Sequence, residues 1–224
     1  PAEITGMATN IKTNVVEIDS CQDLKGTEGN YYRLASDING LKNCFKFLAS
    51  NITLDCSGHY IDGSGSYSPG INISASAGSG NFTVKDCVIK NYNTIGKSYG
   101  AIHGTADQIN LENISSINNT VGIKFEGATN SRLYRVTVKN SSWHNIFVVG
   151  SQNISIIDSR VENTGWHGVY LWESRKNLVK NLTTNNTRNA VFLENSNKNR
   201  ILEVDSKYSG YDAISLDNGS NRNY

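Results

Sequence analysis

Several residue types that would indicate other classes of protein are scarce in this chain. Proline occurs twice and methionine once in 224 residues, and Asp, Glu, Lys and Arg together make up only 18%. Proline removes a backbone hydrogen-bond donor, so its scarcity is expected of strands whose N–H groups all pair with a neighbour. A net charge of +1 leaves no electrostatic footprint for nucleic acid or an anionic membrane. No apolar run approaches the roughly 20 residues that span a bilayer, so no membrane insertion is expected.

The abundant residues are Asn, at about 30 of 224, and Gly, with 20, and they separate short apolar runs that recur about every 23 residues. Both tolerate the left-handed backbone conformation that a coil needs at its corners. Three aligned repeats begin at Asn130, Asn153 and Lys176, and each is followed by a second run such as Val169-Tyr-Leu. Alternating runs at this fixed spacing predict an all-β solenoid, a single-stranded parallel β-helix.

The two ends of the chain depart from this repeat. We interpret residues 1–43 as an N-terminal cap with lead-in strands, including a short capped helical turn at Ser20–Leu24, and residues 44–224 as the β-helix. The early coils are longer, at about 30 and 27 residues, which predicts protruding loops at Ser64–Ser68 and Asn93–Tyr99. Because a solenoid needs polar caps, we expect further coils or a partner beyond residue 224.

A recurring Asn lies ten positions after the start of most repeats. Stacked Asn side chains at one corner can hydrogen-bond to each other along the axis, so we predict a ladder. Its members are Asn91, Asn118, Asn140, Asn163 and Asn186.

Four cysteines, at 21, 44, 56 and 87, all lie in the first half of the chain and permit three pairings. We favour Cys21–Cys44 and Cys56–Cys87, because the last two occupy nearly the same register in successive coils and would lie roughly 5 Å apart. The alternative is a pair of buried free thiols. Disulfides would indicate an oxidising, extracytoplasmic setting.

The segment Cys44-Phe-Lys-Phe-Leu-Ala-Ser-Asn-Ile-Thr-Leu-Asp-Cys-Ser-Gly-His-Tyr-Ile-Asp-Gly63, preceded by Gly29-Asn-Tyr-Tyr-Arg-Leu-Ala-Ser-Asp-Ile38, resembles the right-handed β-helix repeat family. That family includes NosD-like and carbohydrate-binding or sugar-hydrolase-like domains of archaeal and bacterial surface proteins. The resemblance covers about residues 20–220 and implies a right-handed coil at the cell surface or outside the cell. It does not select one function, since the family contains lyases, hydrolases, epimerases, adhesins and structural rods.

Alternation along the second strand of each coil separates inward from outward residues. The outward positions and the corner before them gather all three Trp of the chain, and an exposed aromatic face invites a protein partner, a second copy or a glycan. The alternative is that the rings merely cover the sheet. The candidate face comprises Trp143, His144, Phe147, Trp166, His167, Tyr170, Trp172, Phe192, Glu194, Tyr211 and Asp212.

The residues support catalysis or metal binding less well than they support a binding face. Glu194 and Asp217 would lie roughly 5 Å apart on neighbouring coils, within the range that glycosidases use, and His144 and His167 could serve as acid–base groups. The carboxylate motifs of polygalacturonases and alginate epimerases are absent, so we assign no catalytic residue. Copper would require His and Met ligands, and the single Met and two stacked His offer no third ligand, so no metal or cofactor is expected.

Ten Asn-x-Ser/Thr sequons occur, and those at Asn51, Asn81 and Asn153 open repeats, where a glycan would clash. Asn72, Asn185 and Asn218 are the better candidates for glycosylation. Taken together, the residues favour an extracellular or cell-surface β-helix with a structural or adhesive function, which associates with itself or with other surface subunits through its aromatic face. The alternative is a carbohydrate-active module that uses the same face.

Overall fold

The computed structural model describes residues 14–27, 30–40, 43–78, 80–94 and 98–224 of the chain. Within these residues the regular structure is β-strand, apart from a 3-10 turn at Ala75–Ala77. The strands pair in parallel throughout. In chain order they are β1 (Val15–Ile18), β2 (Gln22–Leu24), β3 (Tyr31–Leu34), β4 (Ile38–Asn39), β5 (Phe45–Phe47), β6 (Thr53–Asp55), β7 (Tyr60–Asp62), β8 (Ile71–Ile73), β9 (Phe82–Lys85), β10 (Val88–Lys90), β11 (Ile102–Gly104), β12 (Ile109–Glu112), β13 (Ser115–Ile117), β14 (Ile123–Glu126), β15 (Arg132–Tyr134), β16 (Thr137–Ser141), β17 (Ile146–Val149), β18 (Ser155–Thr164), β19 (Val169–Trp172), β20 (Leu178–Asn185), β21 (Val191–Glu194), β22 (Arg200–Lys207) and β23 (Ile214–Asp217).

The strands form three rows along the molecule, and successive members of a row belong to successive coils. The first row contains β1, β3, β6, β9, β12 and β15, the second contains β4, β7, β10, β13 and β16, and the third contains β2, β5, β8, β11, β14, β17, β19, β21 and β23. The long strands β18, β20 and β22 run through the corner between the first two rows and belong to both. This arrangement is the predicted parallel β-helix.

The length of each coil follows from the strand register. Ile146 pairs with Val169, 23 residues later, whereas Thr53 pairs with Thr83, 30 residues later, and Thr83 with Asn110, 27 residues later. The extra residues of the earlier coil include the predicted loop Ser64–Ser68, where the Tyr67 side chain is exposed. The predicted loop Asn93–Tyr99 lies only partly within the described residues.

The segment that we interpret as an N-terminal cap already contains coil strands in its described part. Strand β1 pairs with β3, and β2 pairs with β5; residues 1–13 lie outside the described residues. The helical turn predicted at Ser20–Leu24 is wrong, because Gln22–Leu24 forms β2. Leu24 is fully buried and lies beside Phe47 in the third row, so pairing with the next coil outweighs the local capping signal.

The core is a continuous stack of apolar side chains from all three rows, extending from Ile18 to Leu193. In the third row, alternation predicts that Ile123, Ile146, Val169, Val191 and Ile214 point inward; the first four are fully buried, whereas Ile214, in the last described coil, is 42% exposed. Each fully buried side chain contributes roughly 1.5–3 kcal/mol when it is removed from water. Because every coil buries its apolar side chains against the coils beside it, stacking supplies the stability that one coil lacks.

Asn residues with positive φ turn the corners between rows. In the predicted ladder, Asn140 Nδ2 donates to Asn118 Oδ1 at 3.0 Å, Asn163 Nδ2 to Asn140 Oδ1 at 3.1 Å, and Asn186 Nδ2 to Asn163 Oδ1 at 3.1 Å. Their φ angles lie between 49° and 56°, a region that Asn visits more readily than most residues. Asn91, the predicted first member, donates instead to Asp62.

Two disulfides join successive coils with the pairing that we favour. Cys21 bonds to Cys44 and Cys56 to Cys87, with Cα atoms 4.4 and 4.8 Å apart. Gly40 is necessary beside the first bond, because a Cβ there would lie 2.7 Å from Cys21 Sγ. The disulfides therefore fasten together the coils nearest the N-terminus.

Candidate ligand-binding cleft

The outward side of the third row carries most of the predicted aromatic face. Strand register places Lys124, Phe147, Tyr170 and Phe192 in one column. The Phe147 and Tyr170 rings stack with centroids 4.8 Å apart and planes 9° apart. The Lys124 ammonium lies 5.8 Å from the Phe147 centroid, on the coil before it.

The prediction that this whole column is exposed is wrong. Phe147 and Tyr170 are only 2% and 8% exposed, and they form a second apolar cluster with Val121, against which Trp143, Val149 and Phe192 pack. Rings on adjacent coils lie one strand spacing apart, so each covers much of the face of the next. These two residues therefore stabilise the outer side of the sheet rather than offering ring faces to a ligand.

A second stack lies at the corner that precedes the third row. The Trp143 and Trp166 rings stack at 5.7 Å, and the Arg188 guanidinium lies 4.6 Å from the Trp166 ring and 4.7 Å from the Tyr211 ring. We call these four residues the corner stack. Trp166 is 39% exposed and Tyr211 is 68% exposed, so the part of the stack near the last coils remains open to solvent.

His144 and His167 lie between the two stacks and are buried. Their rings are nearly parallel, 5.5 Å apart, and the His167 ring also stacks on Phe192 at 4.3 Å. The His167 backbone N–H donates to His144 Nδ1 at 3.4 Å. Both imidazoles therefore pack at the corner and are largely buried, although their place in the candidate face implied exposure.

A cleft of about 380 Å³ opens over the last three coils between the corner stack and the end of the third row. Eight of the eleven candidate residues line it, while Trp143, Phe147 and Trp172 lie outside it. Its lining comprises His144, Trp166, His167, Tyr170, Arg188, Asn189, Phe192, Glu194, Tyr211, Asp212, Ser215 and Asp217. Arg188, Asn189, Ser215 and Asp217 belong to the lining but not to the predicted candidate face.

Glu194 is held in place by two donors. The Tyr170 hydroxyl donates to Glu194 Oε2, and Asn218 Nδ2 donates to Glu194 Oε1 at 2.8 Å. Burial and this carboxylate raise the pKa of Tyr170 well above its ordinary value, so the hydroxyl keeps its proton. Asp217 pairs with Glu194 in the strand register, which agrees with the predicted proximity of these carboxylates on neighbouring coils.

Asn189 is a buried polar side chain that faces this cleft. The residue is 4% exposed and lines the cleft, and its side-chain amide makes no hydrogen bond to another described residue. The amide atoms are not among the fully buried polar atoms that lack a partner, so they reach the solvent of the cleft. The cleft therefore contains a donor and an acceptor that a polar ligand could reach.

A second cavity, of about 650 Å³, lies on the far side of the coil between the first two rows and was not predicted from the sequence. Its charged groups are largely occupied by their neighbours. Asp86 accepts from Asn113 Nδ2 at 2.6 Å, and Lys139 pairs with Glu162 at 3.0 Å. It is a weaker candidate, because few of its polar groups remain to bind a ligand.

The glycosylation candidates occupy different environments. Asn72 lies in the middle of β8 and Asn185 at the end of β20, both half-buried, whereas Asn218 is exposed, has a φ of 44° and donates to Glu194. Asn51, Asn81 and Asn153 turn corners with positive φ, as expected. Modification of Asn72, Asn185 or Asn218 remains a prediction.

Solved structures with similar backbones are β-helix proteins. The enzymatically active domain of tailspike protein 2 from bacteriophage CBA120 superimposes with a TM-score of 0.58 at 15% identity, over 91% of this chain and 42% of that one. The A-module of a mannuronan C-5 epimerase from Azotobacter vinelandii gives 0.42 at 15% identity, over 85% and 66% of the two chains. The surface adhesin PfbA of Streptococcus pneumoniae gives 0.41 at 11% identity, over 90% and 74%. The chain thus spans less than half the length of the tailspike domain, and the likeness concerns the fold.

No helix in the described ranges has the length and hydrophobicity of a membrane span. No curated protein matches the chain by sequence. The family described as periplasmic copper-binding protein (NosD) matches residues 50–223, which include most of the coils and the whole cleft. The chain therefore belongs to the NosD family of parallel β-helix proteins.

Proposed function

We propose that this chain is an adhesive β-helix module of an extracytoplasmic protein and that it binds carbohydrate in the cleft over its last three coils. The observation that carries the proposal is the Asn189 side chain, which lines the cleft, is 4% exposed and makes no hydrogen bond to another described residue, so its amide is open to a ligand in the cleft. A ligand hydroxyl can both donate to and accept from that amide.

The shape and lining of the cleft favour a carbohydrate over a flat protein surface. Ligand sites are concave and combine aromatic side chains with a few fixed polar groups. Trp166 and Tyr211 supply exposed aromatic surface at the corner, while Glu194, fixed by two hydrogen bonds, supplies a rigid acceptor. Hydroxyl groups of a sugar would find donors and acceptors beside an apolar edge.

The extracytoplasmic setting is supported by two independent features. The disulfides Cys21–Cys44 and Cys56–Cys87 persist in oxidising compartments. The NosD family is described as periplasmic.

The residues do not fit the copper site that the family description implies. Among the described residues no group of three or more His, Cys, Asp or Glu could hold a metal ion. The His144 and His167 rings are stacked with planes 9° apart, so their nitrogen lone pairs cannot converge on one ion. We therefore propose no copper function for this chain.

A second candidate function is docking to another copy or to a different surface protein. Trp172 favours it, because this residue is 36% exposed and lies outside the cleft. Trp residues are frequent anchors of protein interfaces. Self-association would then leave the cleft free.

Two substitutions test the carbohydrate proposal. Tyr211→Ala and Trp166→Ala should each weaken glycan retention about fivefold to tenfold, because an aromatic contact contributes roughly 1 kcal/mol. The measurement is affinity electrophoresis through gels that contain a series of neutral, acidic and amino polysaccharides. Tyr67→Ala is the matched control, since Tyr67 and Tyr211 are 67% and 68% exposed and Tyr67 lies outside the cleft.

The outcomes separate the candidate functions. No retention on any polysaccharide, together with dimers that Trp172→Ala dissociates in sedimentation, would replace the carbohydrate proposal with docking. Polysaccharide cleavage that Glu194→Gln abolishes would replace binding with catalysis. Equal weakening by all three aromatic substitutions would show that the cleft is not the site.

A further inference from the structure

We infer that the ligand of this cleft carries positive charge, and specifically that the cleft prefers a glycan with free amino groups over its N-acetylated counterpart. The inference rests on the proposed function. It concerns the charge that the lining requires of a ligand.

The lining carries more negative than positive charge. Glu194, Asp212 and Asp217 face a single cationic residue, Arg188, which leaves two formal negative charges when the imidazoles are neutral. Asp212 and Asp217 are exposed, and Glu194 is half-buried.

Arg188 does not neutralise these carboxylates. Its guanidinium lies between the Trp166 and Tyr211 rings, 4.6 and 4.7 Å from their centroids, so the corner stack holds it. No ion pair within 4.0 Å joins Arg188 to an acidic residue in the described ranges of the chain.

Three outward acids elsewhere on the strands have a cation beside them. Asp55 pairs with Lys85 at 3.2 Å, Asp62 with Lys90 at 3.4 Å, and Glu162 with Lys139 at 3.0 Å, each pair lying on adjacent coils. At the cleft the corresponding neighbours are Glu194 and Asp217, which are opposite each other in the register. Like charges in opposite positions destabilise a sheet, and a cation bound between the coils would relieve that repulsion.

The Asn189 side chain adds a hydrogen-bonding group to this surface besides its charge. It belongs to the same cleft as the three carboxylates and has no partner among the described residues. An amino sugar meets both requirements, because an ammonium group suits the carboxylates and the hydroxyls suit the amide. Asn189 is therefore the reason to expect a ligand with several hydroxyl groups, and the three carboxylates are the reason to expect that this ligand is positively charged.

The experiment compares glucosamine oligomers with N-acetylglucosamine oligomers of equal length by titration calorimetry, at a pH below neutrality where the amines are protonated. We expect the free-amine oligomer to bind about tenfold more tightly, with a preference that added salt reduces. Asp212→Asn and Asp217→Asn should each remove most of that preference, by about fivefold. Asp205→Asn, an exposed acid on β22 outside the lining, should leave it unchanged.

Equal affinity for the two oligomers would overturn the inference about charge while leaving carbohydrate binding intact. Tighter binding of an acidic oligosaccharide would overturn it in the same way. A preference that survives both Asp substitutions would show that other groups produce it and would also overturn the assignment. Failure to bind any oligosaccharide, neutral or charged, would overturn the proposed function and the inference together.

Discussion

His103 illustrates how neighbouring coils set the chemistry of one side chain. It lies between Asn72 and Lys124 in the outward column of the third row and is 5% exposed. Lys124 Nζ donates to Glu126 Oε2 at 2.8 Å and to the Ser98 carbonyl at 3.1 Å. Burial and then the Lys124 cation lower the pKa of His103 to about 4, against the opposite influence of Glu126.

This depressed pKa predicts a loss of stability in mild acid. The folded state keeps His103 neutral down to a pH of about 4, whereas the unfolded chain takes up that proton near its ordinary pKa of 6.5. The free energy of unfolding should therefore fall by up to about 3 kcal/mol as the pH decreases through that window. Urea unfolding of the wild type and of His103→Asn across the same range measures the effect.

Asn is a suitable replacement for His103, because Asn72 occupies the equivalent position of the preceding coil. His103→Asn should have a shallower dependence on pH between about 6.5 and 4. Parallel curves for the two proteins would mean that His103 does not contribute to acid sensitivity.

At the scale of structural elements, the corners between rows decide whether one coil can stack on the next. Asn163 lies in the middle of the Asn ladder with a φ of 49°, donates to Asn140 and accepts from Asn186. Its side chain thus joins three coils while its backbone adopts a conformation that most residues avoid. Both properties follow from the residue type, which explains why Asn recurs at this position.

Replacing Asn163 separates the two contributions. Asn163→Ala should lower the free energy of unfolding by about 2–4 kcal/mol, from the left-handed backbone and the loss of two hydrogen bonds. Asn163→Gly should have a smaller effect, because glycine tolerates the positive φ and loses only the hydrogen bonds. Thermal and urea unfolding followed by circular dichroism give both values; equal losses would exclude a role for the backbone angle.

Of the two kinds of corner that repeat along the coils, one was predicted from the sequence and the other was not. The Asn ladder was predicted because its members share one spacing, and its hydrogen bonds confirm it from Asn118 to Asn186. A second corner repeats Ser-x-x-Asn at Ser174, Ser196 and Ser220. There, buried or half-buried side chains accept from backbone N–H groups of the preceding coil, as Asn199 Oδ1 does from Asn177. The spacing of this Ser-x-x-Asn corner is as regular as that of the Asn ladder. It was not predicted, because short polar residues near turns are usually exposed and gave no sign that these side chains would be buried.

At the scale of the whole molecule, strand alternation predicted which way each side chain points better than it predicted how exposed that side chain is. The inward positions Ile123, Ile146, Val169 and Val191 are buried because the coil encloses them and coils on both sides cover them, and that follows from the repeat. The outward positions Phe147 and Tyr170 are buried because neighbouring rings and the corner residues cover them. That covering depends on side-chain conformations at the corner, which alternation does not specify. The cleft could not be predicted for the same reason, although eight of its residues were.

Stability along the stack should depend on how many coils cover a side chain. Leu193 and Leu216 are paired in the third row, yet Leu193 is fully buried and Leu216 is 51% exposed. Leu193→Ala should lower the free energy of unfolding by roughly 2–5 kcal/mol and Leu216→Ala by about 1 kcal/mol or less. Urea unfolding measures both changes. Similar losses at the two positions would contradict stabilisation by stacking between coils.

The placement of both disulfides near one end also fixes how the molecule responds to tension. A coil of 23 residues adds about 4.8 Å to the folded rod but roughly 75 Å when it is drawn out straight. A force applied to the last coils would unwind them one after another. Each coil would lengthen to about fifteen times the 4.8 Å that it contributes when folded. The unwinding would stop at the coil that Cys56–Cys87 closes, so the later coils would extend under load while the segment within that disulfide stayed folded.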